Sequence, residues 1–158
     1  MGKFVVYDKA GGYSGWLGNV MFQTASTIGI AIKNNMNFIF PYKEYFDAFV
    51  PTLPTSNAVL LEDFNTVDYI EPNFHYNDVV LSAGSNHNLK GYYQSEKYFK
   101  HCEVDIRRRF TFNDAITRKI DTTIVNLKKS FNNRPIVAIH IRMGDYVKLQ
   151  DNYVCLIN

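Results

Sequence analysis

The chain has 158 residues, of which 46% are hydrophobic and 20% are charged, and its formal net charge is +2. This composition predicts a globular chain with a substantial core and excludes a disordered tail. The small net charge gives no reason to expect a nucleic-acid partner, and the arginine run 107–109 is expected to be a solvated helix face with an occasional ion pair.

The cysteines and histidines form no recognisable metal or disulfide pattern. Cys102 and Cys155 lack a CxxC spacing, and none of the four histidines keeps a ligand spacing with them. We therefore expect neither a metal site nor a disulfide framework. The sequence shows no secretory signal and no apolar run near the roughly 20 residues that a membrane span requires. A cytoplasmic chain without a transmembrane segment is the expectation, with a peripheral position at a membrane as the alternative.

The first forty residues predict a βαβ unit. Residues 3–7 predict a strand, a glycine-rich loop covers residues 11–18, and residues 19–34 predict a helix with one apolar face. Asn34 and Asn35 suit the end of this helix, and residues 38–40 predict a second strand. The glycine loop can bring backbone N–H groups close to a phosphate or a sugar, although a tight turn explains its spacing as well. Asn19 can likewise be a helix N-cap.

The middle of the chain predicts short strands and loops. Apolar runs at residues 58–61, 67–70 and 79–81 alternate with clusters of Pro, Asn, Ser and Gly. A strand over 89–93 is then expected, and Ser95 can cap a helix that reaches Phe110. A second helix over 112–131, capped by Thr111, carries an apolar stripe of Ile116, Ile120, Ile124, Leu127 and Phe131. The whole pattern is alternating α/β.

Residues 136–141 form an apolar run that predicts a strand buried on both faces of a parallel sheet. The run is interrupted by His140, which on such a strand is more often a hydrogen-bonded core group than a catalyst. It ends at Arg142, and ligands of open α/β sheets bind outside the carboxyl ends of strands. Because a guanidinium can hold a phosphate with two parallel hydrogen bonds, Arg142 predicts an anion site, with Asp145 as the alternative partner.

Three segments together resemble the α-1,2-fucosyltransferases of glycosyltransferase family 11, enzymes that move fucose from GDP-fucose to galactosides. Residues 15–25, GWLGNVMFQTA, are similar to that family's GGLGNQMFQYA. Residues 91–99, GYYQSEKYF, are similar to GYFQSEKYF, and residues 140–147, HIRMGDYV, to HxRRGDYV. Each match alone is weak, but three matches in the right order across the chain are hard to obtain by chance.

The resemblance implies a GT-B fold, in which two Rossmann-like lobes enclose the active site. Residues 1–134 would then be the N-terminal lobe, and residues 135–158 would hold the first strand and loop of the donor-binding lobe. Two lobes need roughly 200–300 residues at ordinary domain sizes, so the donor-binding lobe would be incomplete in this chain.

The resemblance also implies an inverting, metal-independent transfer of fucose to a galactoside hydroxyl, with GDP-fucose as donor and no further cofactor. Arg142 maps onto the family arginine that holds the β-phosphate of the donor, and His140 is the other candidate catalytic residue. The remaining donor-binding positions implied by the motifs are Gly15, Gly18, Asn19 and Asp145.

The chain departs from the family pattern at two positions, and two alternative functions are also considered. Met143 replaces the family's second arginine, so we expect weaker donor binding, and Val20 replaces a glutamine.

One alternative function is that of a non-catalytic lobe that binds a sugar or a protein partner. The other is a Rossmann-type dinucleotide module, which calls for an acidic residue about 20 positions after the glycines. Residues 33–40 contain none, which disfavours this alternative.

Overall fold

The computed structural model describes residues 2–7, 17–41, 47–50 and 65–139. The chain divides into two compact units, Met1–Thr117 and Arg118–Asn158. The proposed site residues Gly15, His140, Arg142 and Asp145 lie outside the described residues, as does the apolar run 58–61. The predicted lobe boundary between residues 134 and 135 remains a prediction.

The first unit is built on a sheet of four parallel strands in the order β2-β1-β4-β3. The strands are β1 (Phe4–Tyr7), β2 (Asn37–Ile39), β3 (Thr66–Ile70) and β4 (Asn86–Lys90). The central strands β1 and β4 are buried, as parallel strands under helices must be, whereas the edge strand β3 exposes Val67 and Ile70. The predicted α/β class is confirmed, and the predicted strand over 89–93 lies a few residues too late.

Helix α1 (Leu17–Lys33) crosses from β1 to β2 and supplies much of the core. Its end is the predicted one: Asn35 has a φ of 54°, the left-handed conformation that stops a helix. The N–H of Met36 donates to the carbonyl of Ala31 at 2.9 Å, and the N–H of Asn35 donates to Ile32 at 3.1 Å. These two bonds form a Schellman motif, which satisfies carbonyls that would otherwise be left without a partner.

The run Val79–Leu81 forms no strand, contrary to the expectation for the middle of the chain. The side chain of Asn34 accepts from the N–H of Leu81 at 2.9 Å and donates to the carbonyl of Val79 at 3.1 Å. Val79 and Leu81 themselves are buried in the core. The helix end therefore supplies the hydrogen bonds that a neighbouring strand would have made.

The helix predicted after Ser95 is broken into three pieces. Two 3₁₀ helices, Glu96–Tyr98 and Lys100–Cys102, precede helix α2 (Glu103–Arg109). Ser95 caps the first of them, as predicted, by accepting from the N–H of Lys97. The backbone of Tyr98 and Phe99 packs directly on Gly29 of α1, and this close approach coincides with the break. The arginine run forms ion pairs on α2, and the predicted solvated face is confirmed for Arg107 and Arg108. Arg109 is less exposed, because its guanidinium lies over the ring of Phe38.

Helix α3 (Asp114–Ser130) matches the predicted second helix, but its cap is Asn113 and not Thr111. The side-chain oxygen of Asn113 accepts from the N–H of Ile116 at 3.1 Å. Asn132 and Asn133, with φ of 50° and 58°, end the helix. None of the residues of α3 is buried.

The prediction of a buried strand over 136–141 is wrong for its described part, residues 136–139. These residues are irregular, and Val137 and Ile139 are 81% and 82% exposed. A strand requires a neighbour for its N–H and C=O groups, and the described sheet pairs its four strands only with one another. Among the described residues, none of the helices has the length and apolarity that crossing a bilayer demands.

Candidate functional site

The candidate site lies at the carboxyl edge of the sheet, between β1 and β4. The strand order places the carboxyl ends of β1 and β4 side by side, although β2 and β3 lie between them in the chain. Open parallel sheets bind ligands outside the carboxyl ends of their strands. The first turn of α1 and the turn at residues 91–95 that follows β4 both stand at this edge. The second motif therefore lies beside the first.

Two side chains from the first half of the chain anchor the start of the turn at residues 91–95. The carbonyl of Gly91 accepts a hydrogen bond from the hydroxyl of Tyr7 at 2.8 Å and from the side-chain amide of Gln23 at 3.3 Å. Both donors are buried. Because a buried carbonyl without a partner is costly, these bonds bind the turn firmly to β1 and α1.

Glu71, the residue directly after β3, holds the same turn from the other side. Its carboxylate accepts from the N–H of Tyr92 at 2.6 Å and from the N–H of Tyr93 at 3.0 Å. Gly91 has a φ of +150°, and a Cβ at that position would lie 2.4 Å from the Cβ of Glu71. The first residue of the second motif must therefore be glycine, both for its backbone angle and for this contact.

Tyr93 also fixes the turn at residues 91–95 by hydrogen bonds. It adopts a φ of 49°, which is uncommon for a residue with a bulky side chain. Its buried hydroxyl donates to the carbonyl of Tyr69 at 3.0 Å, and its carbonyl accepts from the hydroxyl of Ser26 at 2.8 Å. Burial, reinforced by the charge of Glu71, raises the pKa of Tyr93 far above its ordinary value. The hydroxyl therefore stays protonated and remains a donor.

One hydrogen bond joins the solvent-facing parts of the two motifs. The side-chain amide of Gln94 donates to the side-chain oxygen of Asn19 at 2.8 Å, although the two residues are 75 positions apart. Gln94 is exposed and Asn19 is half-buried, so both amides stand where a ligand can reach them. Asn19 is the third residue of α1 and not its N-cap, since the helix begins at Leu17.

The other proposed site residues fall in different places. Gly18 lies exposed in the first turn of α1, with open space where a Cβ would stand. Val20, which replaces the family glutamine, is buried in the hydrophobic core. A glutamine at this position would have to bury its amide among apolar groups. For Gly15, His140, Arg142 and Asp145 the proposed roles remain predictions.

The sequence reasoning missed several residues of this edge. Gln23, Tyr93 and Gln94 stand inside the two motifs, yet no site role was assigned to them. Glu71 stands in no motif. Its only sequence signal is its place directly after an apolar run, which is where site residues of α/β sheets are expected.

Comparison with known proteins identifies the family of the chain. The model of Glycosyl transferase family 11 matches residues 11–156. A Galactoside alpha-(1,2)-fucosyltransferase 2 from rabbit (Oryctolagus cuniculus) is 26% identical over 145 residues, which are 85% of this chain and 39% of the rabbit protein. Those from pig (Sus scrofa) and cattle (Bos taurus) are each 25% identical over 148 residues, 87% of this chain and 42% and 41% of their own lengths. No solved structure gives a significant match.

The chain spans about two fifths of the length of these relatives. The family match covers nearly all of it, including the glycine loop, the turn at residues 91–95 and the segment with Arg142. The chain belongs to glycosyl transferase family 11.

Proposed function

We propose that this chain takes part in the transfer of L-fucose from GDP-fucose to a hydroxyl group of a galactoside, forming an α-1,2 linkage. Family membership and the activity for which its relatives are named support the proposal. The observation that carries it is the hydrogen bond between Asn19 and Gln94, which unites two motifs of the family at one edge of the sheet. A chance match to separate motifs would not require their polar side chains to meet.

The donor would be held mainly by the third motif. In this proposal Arg142 binds the β-phosphate of GDP-fucose, and Asp145 orients the guanidinium. Gly15, Gly18 and Asn19 belong to the loop and helix start that approach the sugar nucleotide. In the same proposal, residues 1–134 form the first of two Rossmann-like lobes, and residues 135–158 form the start of the second, the donor-binding lobe.

The chemistry calls for a cation beside the leaving group. As the bond between C1 of fucose and the phosphate oxygen breaks, negative charge builds on GDP while the sugar gains oxocarbenium character. A fixed guanidinium at that oxygen stabilises the change without a metal, since Arg142 stays charged at every relevant pH. The galactoside hydroxyl attacks from the opposite face, which inverts the configuration at C1. His140 is the candidate to accept or position the proton of that hydroxyl.

A transfer assay with GDP-fucose and lactose tests the proposal, with the trisaccharide product detected by mass spectrometry. Arg142→Ala is expected to lower the rate by about 100-fold or more, because the charge of the leaving group is no longer stabilised. Arg118→Ala, at an exposed position of α3, is the matched control and should leave the rate unchanged. Equal rates for the two variants would contradict the role of Arg142.

Calorimetric titration with GDP separates binding from turnover. Met143→Arg restores the second arginine of the family motif and is expected to tighten GDP binding about tenfold through added charge-assisted hydrogen bonds. An unchanged affinity would show that the methionine is innocuous. GDP-fucose binding without product would favour a non-catalytic lobe, and preferential binding of NADH would favour the dinucleotide module.

A further inference from the structure

A pair of aromatic rings, one exposed and one half-buried, stands next to the proposed site. Phe74, in the loop after β3, is 77% exposed. Its ring centroid lies 5.7 Å from that of Tyr92, and the two planes are tilted by 40°. Tyr92 belongs to the turn at residues 91–95. We call these two rings the aromatic platform.

The platform is held from both sides by hydrogen bonds. The backbone of Tyr92 donates to the carboxylate of Glu71 at 2.6 Å. In the loop of Phe74, the side-chain oxygen of Asn73 accepts from the N–H of His75 at 2.9 Å and from the amide of Asn77 at 3.2 Å. The N–H of Asn77 in turn donates to the hydroxyl of Tyr98 at 3.2 Å. The exposed ring therefore sits on an ordered loop, and little order has to be gained when a ligand binds.

The surroundings favour a neutral ligand. The turn at residues 91–95 has the sequence Gly-Tyr-Tyr-Gln-Ser and carries no charged side chain. The carboxylate of Glu71, which binds the backbone of this turn, would repel a diphosphate. At the other end of the turn, the amides of Gln94 and Asn19 offer both donors and acceptors. Apolar rings with a few convergent polar groups are the usual lining of a small-molecule site.

We infer that the aromatic platform is the binding site for the galactose ring of the acceptor. This inference rests on the proposed function and locates its neutral substrate. The C–H groups at C3, C4 and C5 of galactose point to one face of the ring, because the C4 hydroxyl is axial. Their partial positive charge suits the negative face of an aromatic ring, so this sugar face stacks on Phe74 and Tyr92. The hydroxyl groups at the sugar's rim are left for the amides of Asn19 and Gln94.

Saturation-transfer NMR of the complete 158-residue chain with lactose tests the site without requiring turnover. Phe74→Ala is expected to weaken lactose binding about fivefold or more, because the stacking contact is lost. Phe131→Ala removes another exposed ring, which is 56% exposed directly after α3, and should bind as the unchanged chain does. Phe74→Leu keeps an apolar side chain but no ring, and should also bind weakly. Circular dichroism confirms that each variant is folded.

Binding measurements with cellobiose and GDP-fucose test whether the site is specific for galactose. Cellobiose differs from lactose only in the C4 configuration of its terminal sugar, and weaker binding of cellobiose supports stacking through the galactose face. The inference is overturned if lactose shows no saturable binding, or if Phe74→Ala and Phe74→Leu bind lactose as tightly as the unchanged chain. A loss of GDP-fucose affinity in Phe74→Ala, with lactose affinity retained, would also overturn it. Lactose binding that depends on Phe74 but gives no transfer would support the platform and count against the proposed function.

Discussion

Helices α1 and α3 have the same length and a similar apolar pattern, but they differ in how far their side chains are buried. Each has 17 residues and an apolar face at helical spacing. Ten residues of α1 are buried, including polar ones such as Thr24 and Ser26, whereas none of α3 is buried. In α3 the stripe residues Ile120, Ile124 and Leu127 are between 37% and 41% exposed.

This difference in burial shows that an amphipathic pattern identifies a helix but does not identify the surface on which it packs. The buried face of α1 contacts both the sheet and the segment at residues 96–102. Such packing provides most of the stability of helices in proteins, since isolated helices of this length are marginal in water. The described part of α3 is stabilised chiefly by its own hydrogen bonds, its cap and its terminal asparagines. Side-chain burial should therefore contribute more to the stability of α1 than to that of α3.

The largest expected effect comes from removing one core side chain. Ile28→Ala should lower the free energy of unfolding by about 2–5 kcal/mol, because Ile28 is fully buried and its loss leaves a cavity. The matched change Ile124→Ala, on the exposed stripe of α3, should cost under about 1 kcal/mol. Urea denaturation followed by circular dichroism measures both. Equal costs would show that the stripe of α3 is packed in solution.

A smaller effect is expected where α1 meets the broken helix. A Cβ at Gly29 would lie 2.3 Å from the carbonyl oxygen of Tyr98 and 2.7 Å from the Cα of Phe99. Since backbone atoms must shift to relieve this clash, Gly29→Ala should cost about 1–3 kcal/mol in the same measurement.

Gly18 provides the control for Gly29 within the same helix. No atom lies within 4 Å of its hypothetical Cβ. Gly18→Ala should therefore be neutral or stabilise the chain by up to about 1 kcal/mol, because alanine is the better helix former. A penalty at Gly18 equal to that at Gly29 would argue against the close packing of α1 on the segment at residues 96–102.

The smallest expected loss of stability concerns the cap of α3. Asn113→Ala removes the bond to the N–H of Ile116 and a second bond to the carbonyl of Asp47 at 3.0 Å. A loss of about 0.5–2 kcal/mol is expected, visible as faster hydrogen exchange in the first turn of α3. Asn126→Ala, at an exposed mid-helix position, should slow exchange slightly or leave it unchanged. If exchange in α3 is insensitive to Asn113, the helix does not depend on its local cap.

Local signals in the sequence predicted the elements of the first unit well. The apolar spacing predicted β1, α1 and β3, and the paired asparagines predicted where α1 ends. These signals work because they act within one helical turn or one strand. The same reasoning gave a wrong strand prediction for residues 136–139, since apolar content alone does not provide a neighbouring strand.

The sequence by itself determined the order of elements, the family motifs and the chemical types at the candidate site. Only the tertiary structure showed that Glu71 holds the backbone of Tyr92 and Tyr93, and that Gln94 donates to Asn19. These groups are 21 to 75 positions apart. Their contact depends on the parallel order of the strands, which brings the carboxyl ends of β1, β3 and β4 to one edge. No local pattern encodes that order, because it follows from how the whole chain buries its apolar surface.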